Sequence, residues 1–387
     1  MSRRFCYLDY NATTPVDPEV AGEMQPFLAD VYGNPSSSHR LGREAKDHVE
    51  RARTRVARCI GAEPREIIFT SGGTEANNLA LRGVMKTVPR GHLITSAVEH
   101  PAVLEVVIDL DAHRRIELSV LGVGADGRVD PEKVERAIGP RTRLVSVMLA
   151  NNEVGTVQPI REIAEICRRR RVLLHTDAAQ AMGKIPVDVQ ELGVDLLSIA
   201  GHKLYAPKGV GALFVRQGVE VEPVLFGAGH ERGLRPGTEN VLEIVGLGAA
   251  CRLVKQRVDR DGEHSLKLRD QLRLRLREVF PSLVVNSPFE GCLPNTLSVA
   301  FPGIDAQELL SRLSNDVAAS AGAACHSGGV GASHVLSAMG VAPELARSTV
   351  RFSVGRFSTE DELEAAVRRL AVELAQLAEI QHERKRI

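Results

Sequence analysis

Residues 172–203, VLLHTDAAQAMGKIPVDVQELGVDLLSIAGHK, contain two short apolar segments, 172–177 and 195–200, that predict buried β-strands. Polar residues stand where each segment ends: Asp177 closes the first, and Gly-His-Lys (201–203) follows the second. Nearly continuous apolar runs of this length are typical of strands that are covered on both faces in a parallel sheet. The stretch therefore predicts an α/β fold with polar side chains at the carboxyl ends of its strands.

The same alternation of strands and helices continues on both sides of this stretch. Further strands are predicted at 65–71, 92–96, 143–150 and 211–215, and helices at 38–60, 74–86 and 101–115. Such alternation predicts a mostly parallel sheet covered by helices. After about residue 250 the pattern changes to a long charged helix at 254–279, a strand at 349–354 and a final helix from residue 359. We therefore predict a large domain at 14–253 and a smaller α+β domain formed by 1–13 and 254–387.

Length and composition agree with two domains and exclude several classes of protein. The chain has 387 residues, and one hydrophobic core usually serves no more than roughly 250–300. It carries 49 basic and 49 acidic side chains, so no strong bulk attraction to nucleic acid or to an anionic membrane is expected. We find neither a signal peptide nor an apolar run of the roughly 18–20 residues that a membrane span needs.

The cysteines point to a reducing environment. Six are present, and none forms a C-x-x-C pair. In a chain of this length they predict neither a disulfide framework nor a metal site. A cytoplasmic location is therefore expected, with any reactive cysteine acting singly.

Polar groups also follow the other predicted strands. Residues 71–75, SGGTE, open a helix, where glycines and free backbone amides suit a phosphate group. Glu99-His100 follows the strand at 92–96, and Asn151-Asn152-Glu153 follows the strand at 143–150. Taken singly, each of these is more often a turn, a helix cap or a solvated side chain. Because the carboxyl ends of parallel strands meet at one edge of a sheet, together they predict a single site.

This combination matches the chemical needs of pyridoxal phosphate. The aldehyde of that cofactor forms a Schiff base with a lysine, and its pyridine nitrogen needs a carboxylate. Its phosphate needs donors such as a helix N-terminus. Lys203, Asp177 and residues 71–75 are the candidates for these three roles.

A second candidate region lies near the C-terminus. Residues 321–331, AGAACHSGGVG, hold four glycines and Cys325, which predicts a mobile loop that carries a thiol into a site. The alternative, a small buried cysteine, suits Cys59 and Cys167 better. Arg351 lies in the strand predicted at 349–354, where an inward guanidinium suits a carboxylate ligand and an outward one suits a surface ion pair. The residues alone leave these two possibilities open.

The ordered motifs resemble one enzyme family along almost the whole chain. The resemblance is carried by 7–15 (YLDYNATTP), 33–37 (GNPSS), 70–75 (TSGGTE), 99–100 (EH), 151–155 (NNEVG), 175–180 (HTDAAQ), 201–203 (GHK), 229–232 (GHER), 235–238 (RPGT), Cys325 and 351–356 (RFSVGR). The chain is similar to the cysteine desulfurase and selenocysteine lyase family. Its members are fold-type I pyridoxal-phosphate enzymes of aminotransferase class V. The resemblance implies a large domain with a mostly parallel sheet and a smaller α+β domain.

The resemblance also implies roles for individual residues. Lys203 would carry the cofactor and move protons, His100 would stack on its ring, and Asp177 would pair with its pyridine nitrogen. Thr238 would reach the phosphate of the other subunit in a homodimer. The full set implied to bind the cofactor is Gly73, Thr74, His100, Asn152, Asp177, Gln180, His202, Lys203 and Thr238.

The remaining implied roles concern the substrate and the sulfur. Asn34 and Arg351 would hold the carboxylate of L-cysteine or L-selenocysteine. Cys325 would take the sulfur as a persulfide and pass it to an acceptor protein, while Lys203 and His100 would serve as the other catalytic residues. The expected product is L-alanine.

Two features leave the choice of chalcogen open. Desulfurases usually carry a serine or threonine before Gly-His-Lys, where this chain has Ala200, and His326 follows Cys325. Both features resemble selenocysteine lyases. A cysteine desulfurase is the favoured interpretation, a selenocysteine lyase the second, and a class V aminotransferase or a non-catalytic scaffold of the same fold less favoured.

Overall fold

A computed structural model of the chain describes residues 5–322 and 333–384. The strands in these residues are β1 Cys6–Tyr7, β2 Ile67–Thr70, β3 His92–Ser96, β4 Glu117–Leu121, β5 Thr142–Ser146, β6 Leu173–Asp177, β7 Leu196–Ala200, β8 Gly211–Val215, β9 Val284–Val285, β10 Thr296–Ala300, β11 Val317–Ala318, β12 Ser320–Ala321 and β13 Thr349–Ser353. The α-helices are α1 Pro18–Met24, α2 Arg40–Cys59, α3 Gly73–Lys86, α4 Pro101–Ala112, α5 Pro131–Ala137, α6 Ile160–Arg170, α7 Val189–Leu192, α8 Val241–Val279, α9 Ala306–Leu313, α10 His334–Ala338, α11 Pro343–Arg347 and α12 Glu360–Arg384.

The main sheet has seven strands in the order β2-β8-β7-β6-β5-β3-β4. The five strands from β7 to β4 run parallel, and β8 runs antiparallel to both of its neighbours. The mostly parallel α/β sheet predicted from the sequence is thus confirmed. The parallel strands place their carboxyl ends at one edge, where a ligand site is expected.

Helices cover both faces of this sheet, because successive side chains of a strand point to opposite sides. Leu196 and Leu213 pack with α3 and α4, whereas Leu197 and Phe214 pack with α2, α6 and α8. Burying a side chain such as Phe214 contributes about 1.5–3 kcal/mol to folding. These continuous apolar strands therefore become the centre of a three-layer core.

A second sheet and core lie toward the C-terminus. The strands β12, β13, β10 and β9 form an antiparallel sheet in that order, and β1 pairs with β11. Leu8 packs in this second core with α9, α12 and the C-terminal half of α8. The N-terminal segment thus contacts the C-terminal part of the chain.

The helix predicted at 254–279 begins earlier, at Val241, and runs for 39 residues. Its first half packs in the main core and its second half in the second core. The sequence prediction missed the first half because 244–254 is apolar and glycine-containing, with Arg252 as its only charged residue. Gly248 allows α8 to approach α2, since a Cβ there would lie 2.7 Å from the Cα of Ala52. The domain division at 253/254 remains a prediction, and it falls inside this helix.

No helix in the described part of the chain is both long enough and apolar enough to cross a membrane.

Candidate active site

A cavity of about 380 Å³ opens at the carboxyl ends of the parallel strands. It gathers nine of the residues predicted from the sequence, namely Gly73, Thr74, His100, Asn152, Asp177, Gln180, His202, Lys203 and Arg351. The main sheet and its helices supply eight of them, and Arg351 comes from β13 of the second sheet. Asn11 and Ala12 of the N-terminal segment complete the same wall. The site therefore depends on the contact between the two sheets.

One end of the cavity suits a phosphate. Helix α3 begins at Gly73, and none of the described side chains caps its N-terminus, so its first amides face the site without a competing acceptor. A Cβ added at Gly73 would lie 3.2 Å from the Cβ of Ala200. Burial, followed by the charge of Lys203, lowers the pKa of His202 to about 4, so its ring is neutral near pH 7. Amides, a hydroxyl on Thr74 and a neutral imidazole form a suitable donor set.

Asp177 is held at the end of β6 by two donors. Its Oδ2 accepts from Nδ2 of Asn77 at 2.7 Å, and its Oδ1 accepts from the backbone N of Ala179 at 2.9 Å. The carboxylate is 5% exposed and lines the cavity. A buried carboxylate fixed in this way suits a protonated pyridine nitrogen.

Lys203 reaches the cavity from the turn that follows β7. Its Nζ donates to the backbone oxygens of Asn11 at 2.5 Å and Ala12 at 2.8 Å. Burial, followed by the charge of Arg351, lowers the pKa of Lys203 to about 8. About a tenth of the side chain is therefore a neutral amine near pH 7, far more than for an ordinary lysine, and the neutral amine is the nucleophilic form.

Gln180 is oriented by a second lysine. Nζ of Lys184 donates to Oε1 of Gln180 at 2.5 Å, and Nε2 of Gln180 donates to the backbone oxygen of Asn11 at 3.0 Å. Burial and the charges of Lys203 and Arg351 hold the pKa of Lys184 well below its usual value. The side-chain amide of Gln180 is therefore held by a hydrogen bond at each end.

Of the three arginines near the end of the second sheet, Arg351 lines the cavity. Its Nη1 donates to the backbone oxygen of Asn152 at 2.9 Å, and its Nη2 donates to Oδ1 of Asp9 at 2.8 Å. Arg347 is exposed beside Glu344, and Arg356 is held elsewhere by carboxylates. The inward position that the sequence left open is the one observed for Arg351.

His100 and Glu99 follow β3. His100 lines the cavity and caps α4, with its Nδ1 accepting from the backbone N of Ala102 at 3.0 Å. Glu99 is fully buried outside the cavity lining, and its Oε1 accepts from Oγ of Ser96 and from the backbone N of Met148. Burial raises the pKa of Glu99 to about 8, so this carboxyl is largely neutral near pH 7.

Three predicted residues do not line this cavity or cannot be placed. Asn34 is exposed, and its Oδ1 accepts from the backbone N of Ser36. Thr238 is exposed just before α8. Cys325 lies outside the described residues. The roles assigned to these three residues remain predictions.

Sequence reasoning missed several residues that position the site. Asn77 lies one helical turn after Gly73, so helix periodicity could have placed both on one face of α3. Asp9 and Asn11 belong to the quoted segment 7–15 but received no role, since nothing local shows that they meet Arg351 and Lys203. Their partners are more than 190 positions away along the chain.

The residues present fit pyridoxal phosphate. An uncapped helix N-terminus lies at one end of the cavity, a fixed carboxylate lies in its wall, and a lysine with a lowered pKa reaches into it. These are the three groups that the cofactor needs.

Comparison with known proteins agrees with this geometry. A family model described as aminotransferase class-V matches residues 6–366. A protein of Pongo abelii named cysteine desulfurase is 45% identical over 379 residues, which cover 97% of this chain and 82% of the relative.

Two solved structures are also similar. The first is titled NifS-like protein. Its match has a TM-score of 0.91 at 38% identity and covers 96% of this chain and 100% of the chain in that structure. The second is titled SspA in complex with cysteine. Its match has a TM-score of 0.80 at 36% identity and covers 92% of this chain and 100% of the chain in that structure. The resemblance predicted from the sequence motifs is thereby confirmed: the chain belongs to the class-V aminotransferase family, with cysteine desulfurases among its relatives.

Proposed function

We propose that this protein is a pyridoxal-phosphate-dependent cysteine desulfurase. It converts L-cysteine to L-alanine and transfers the sulfur to Cys325 and then to an acceptor protein. The observation that carries the proposal is the joint placement of Lys203, Asp177, the α3 N-terminus and Arg351 around one cavity. The name of the Pongo abelii relative and the neighbouring structure solved with cysteine support the choice of substrate.

When bound, pyridoxal phosphate supplies an electron sink that stabilises negative charge at the α-carbon of an amino acid. Thr74 and the first amides of α3 would hold its phosphate. Asp177 would pair with its pyridine nitrogen, and Lys203 would hold its aldehyde carbon. Gly73, His100, Asn152, Gln180 and His202 complete the proposed set around it.

The chain's own groups account for binding and proton transfer. Arg351 binds the substrate carboxylate, as a guanidinium does in a charge-assisted pair. Lys203, with its lowered pKa, takes the α-proton as a neutral amine and returns a proton to the product. The Cys325 thiolate attacks the substrate sulfur, so the C–S bond breaks as an S–S bond forms. Substrate thiol plus enzyme thiol gives alanine plus enzyme persulfide, with carbon reduced and sulfur oxidised.

Further parts of the proposal concern assembly and location. Thr238 lies outside the cavity of its own chain, which is compatible with a contribution to the phosphate site of a second copy. We expect a homodimer, and sedimentation velocity of the cofactor-loaded protein at micromolar concentration tests it. A cytoplasmic location is proposed on the cysteine pattern.

A selenocysteine lyase is the second candidate. Ala200 lies beside Gly73 at the phosphate end, where it offers no hydroxyl to the phosphate. This position and the sequence Cys325-His326 are the features that favour selenium.

The decisive experiment compares L-cysteine and L-selenocysteine side by side, with and without a dithiol. We expect alanine from L-cysteine, a persulfide on the peptide that contains Cys325, and no pyruvate formation from alanine. Cys325→Ser should abolish alanine formation from L-cysteine without preventing cofactor binding. Cys292→Ser, which changes a cysteine outside the cavity, serves as the matched control.

The other outcomes discriminate between the candidates. Consumption of selenocysteine without turnover of cysteine would favour the lyase. Pyruvate formation from alanine would favour an aminotransferase. A purified protein that binds no cofactor would favour a scaffold.

A further inference from the structure

Asp9, Ser320 and Arg351 form a closed triangle of hydrogen bonds at the edge of the cavity. Nη2 of Arg351 donates to Oδ1 of Asp9 at 2.8 Å and to Oγ of Ser320 at 2.9 Å. Oγ of Ser320 donates to the same Oδ1 at 2.8 Å. The side chains of Arg351 and Asp9 are only 10% and 17% exposed, so this pair is shielded from solvent more than an ordinary surface ion pair.

The backbone holds all three residues in register. Ser320 lies opposite Arg351 where β12 pairs with β13. Asp9 forms a bridge with Ser353 of β13, and the backbone N of Ser353 donates to the oxygen of Leu8 at 2.8 Å. The triangle therefore rests on three adjacent strand segments.

These contacts fix which donors of Arg351 remain for a ligand. Nη2 has two hydrogens, and Asp9 and Ser320 take both of them. Nη1 has two hydrogens, and the backbone oxygen of Asn152 takes one. Nε is buried and has no hydrogen-bond partner among the described residues. One Nη1 hydrogen is thus left to meet a carboxylate in the cavity, whereas the buried Nε hydrogen lies on the opposite side of the guanidinium and cannot meet the same carboxylate.

We propose that Asp9 is a positioning residue, which holds the guanidinium of Arg351 in the orientation that receives the carboxylate of the amino-acid substrate. This inference rests on the proposed substrate-binding role of Arg351. Without Asp9, the guanidinium keeps only neutral acceptors, Ser320 and Asn152, and loses its charged partner. Its plane is then held less firmly, and a misplaced anchor weakens carboxylate binding.

The test uses two ligands that differ only in a carboxylate. L-Alanine and ethylamine are titrated into the cofactor-loaded protein, and binding is followed by the absorbance of the bound cofactor. Asp9→Ala should weaken binding of L-alanine about 10- to 100-fold, while ethylamine binding stays the same. The KM for L-cysteine should rise by a similar factor with little change in kcat.

Further variants keep the test informative if Asp9→Ala folds poorly. Asp9→Asn retains an oxygen acceptor for Arg351 and Ser320, so it should weaken L-alanine binding less than Asp9→Ala but measurably. Glu344→Ala removes an exposed carboxylate beside Arg347 and is the matched control, with no effect on either ligand.

Equal weakening of both ligands by the Asp9 variants, or no weakening of either, would overturn the positioning role. The outcome is separable from the proposed function, because binding of alanine and ethylamine requires no sulfur transfer. A protein that discriminates the two ligands through Asp9 but makes no alanine from L-cysteine would retain this inference and lose the desulfurase proposal.

Discussion

At the scale of single residues, burial sets the charge state of the groups that do the chemistry. Burial, followed by the charge of Arg351, lowers the pKa of Lys203 to about 8. Glu99, which is fully buried, responds in the opposite direction, with a pKa raised to about 8. Both shifts favour the neutral form, since desolvation disfavours any charge.

The lowered pKa of Lys203 predicts how cofactor loading depends on pH. Only the neutral amine attacks an aldehyde, so the rate of pyridoxal phosphate incorporation into the cofactor-free protein should rise with pH and level off above about 8. Stopped-flow absorbance measures the rate, and borohydride reduction with peptide mapping confirms that Lys203 is the site. A rate that still climbs through pH 10 would indicate an ordinary solvated lysine.

Glu99 predicts a pH dependence of stability. Its pKa is about 8 in the folded protein against 4.5 ordinarily, so the folded state binds more protons between these values. The stability that this group contributes is fully present below pH 4.5 and is lost as the pH rises to about 8. Glu99→Gln, which keeps an acceptor for Ser96 and Met148, should escape this loss.

The stability of Glu99→Gln relative to wild type should therefore increase from pH 5 to pH 8, by on the order of a few kcal/mol. Urea denaturation at several pH values measures the difference. A constant difference across this range would contradict the raised pKa.

At the scale of elements, the packing of α2 on α8 depends on a glycine. A Cβ at Gly248 would lie 2.7 Å from the Cα of Ala52, which is backbone and cannot turn aside. Gly22 lies in α1 with nothing within 4 Å of such a Cβ. An alanine would therefore clash with the backbone of α2 at position 248 but would meet open space at position 22.

Gly248→Ala should destabilise the protein by about 1–3 kcal/mol through overpacking, despite the better helix propensity of alanine. Gly22→Ala is the control and should stabilise the protein by up to about 1 kcal/mol, because it changes only the helix propensity and the entropy of the unfolded chain. Thermal unfolding of the two variants provides the comparison. A stabilised Gly248→Ala would mean that the two helices separate easily.

At the scale of the whole molecule, Arg356 ties distant segments together. Its Nη1 contacts Oδ2 of Asp17 at 2.6 Å, and its Nε contacts Oδ2 of Asp261 at 2.7 Å. Its guanidinium carbon lies 4.3 Å from the ring centroid of Tyr205, which belongs to the same turn after β7 as Lys203. This contact joins the entry to α1, the middle of α8 and the segment after β13.

Arg356→Met should destabilise the protein by about 3–5 kcal/mol, because two buried carboxylates lose the cation at 2.6 and 2.7 Å and keep only Arg257 and Arg260, at 3.7 and 3.6 Å. Arg347→Met removes an exposed pair and should change stability by less than about 0.5 kcal/mol. Urea denaturation at pH 7 measures both. An Arg356→Met variant as stable as the control would mean that Arg257, which also lies near Asp17, replaces the lost charge.

The sequence by itself determined the alternation of strands and helices in the main sheet and the main candidates for the site. Strands such as Leu196–Ala200 follow from continuous apolar runs, and the helices predicted at 38–60 and 74–86 agree with the bounds of α2 and α3 to within two residues. Lys203 and Asp177 could be chosen because each stands where an apolar strand stops. These signals are local, since they depend on residues within a few positions of one another.

Only the tertiary structure decided which groups touch and how they are charged. Asn11 meets Lys203, Asn77 meets Asp177, and Asp9 meets Arg351 across separations of 100 to 342 positions along the chain. No local pattern specifies such contacts, because they arise from how two sheets pack. The shifted pKa values have the same origin, since desolvation depends on everything that surrounds a group once the chain has folded.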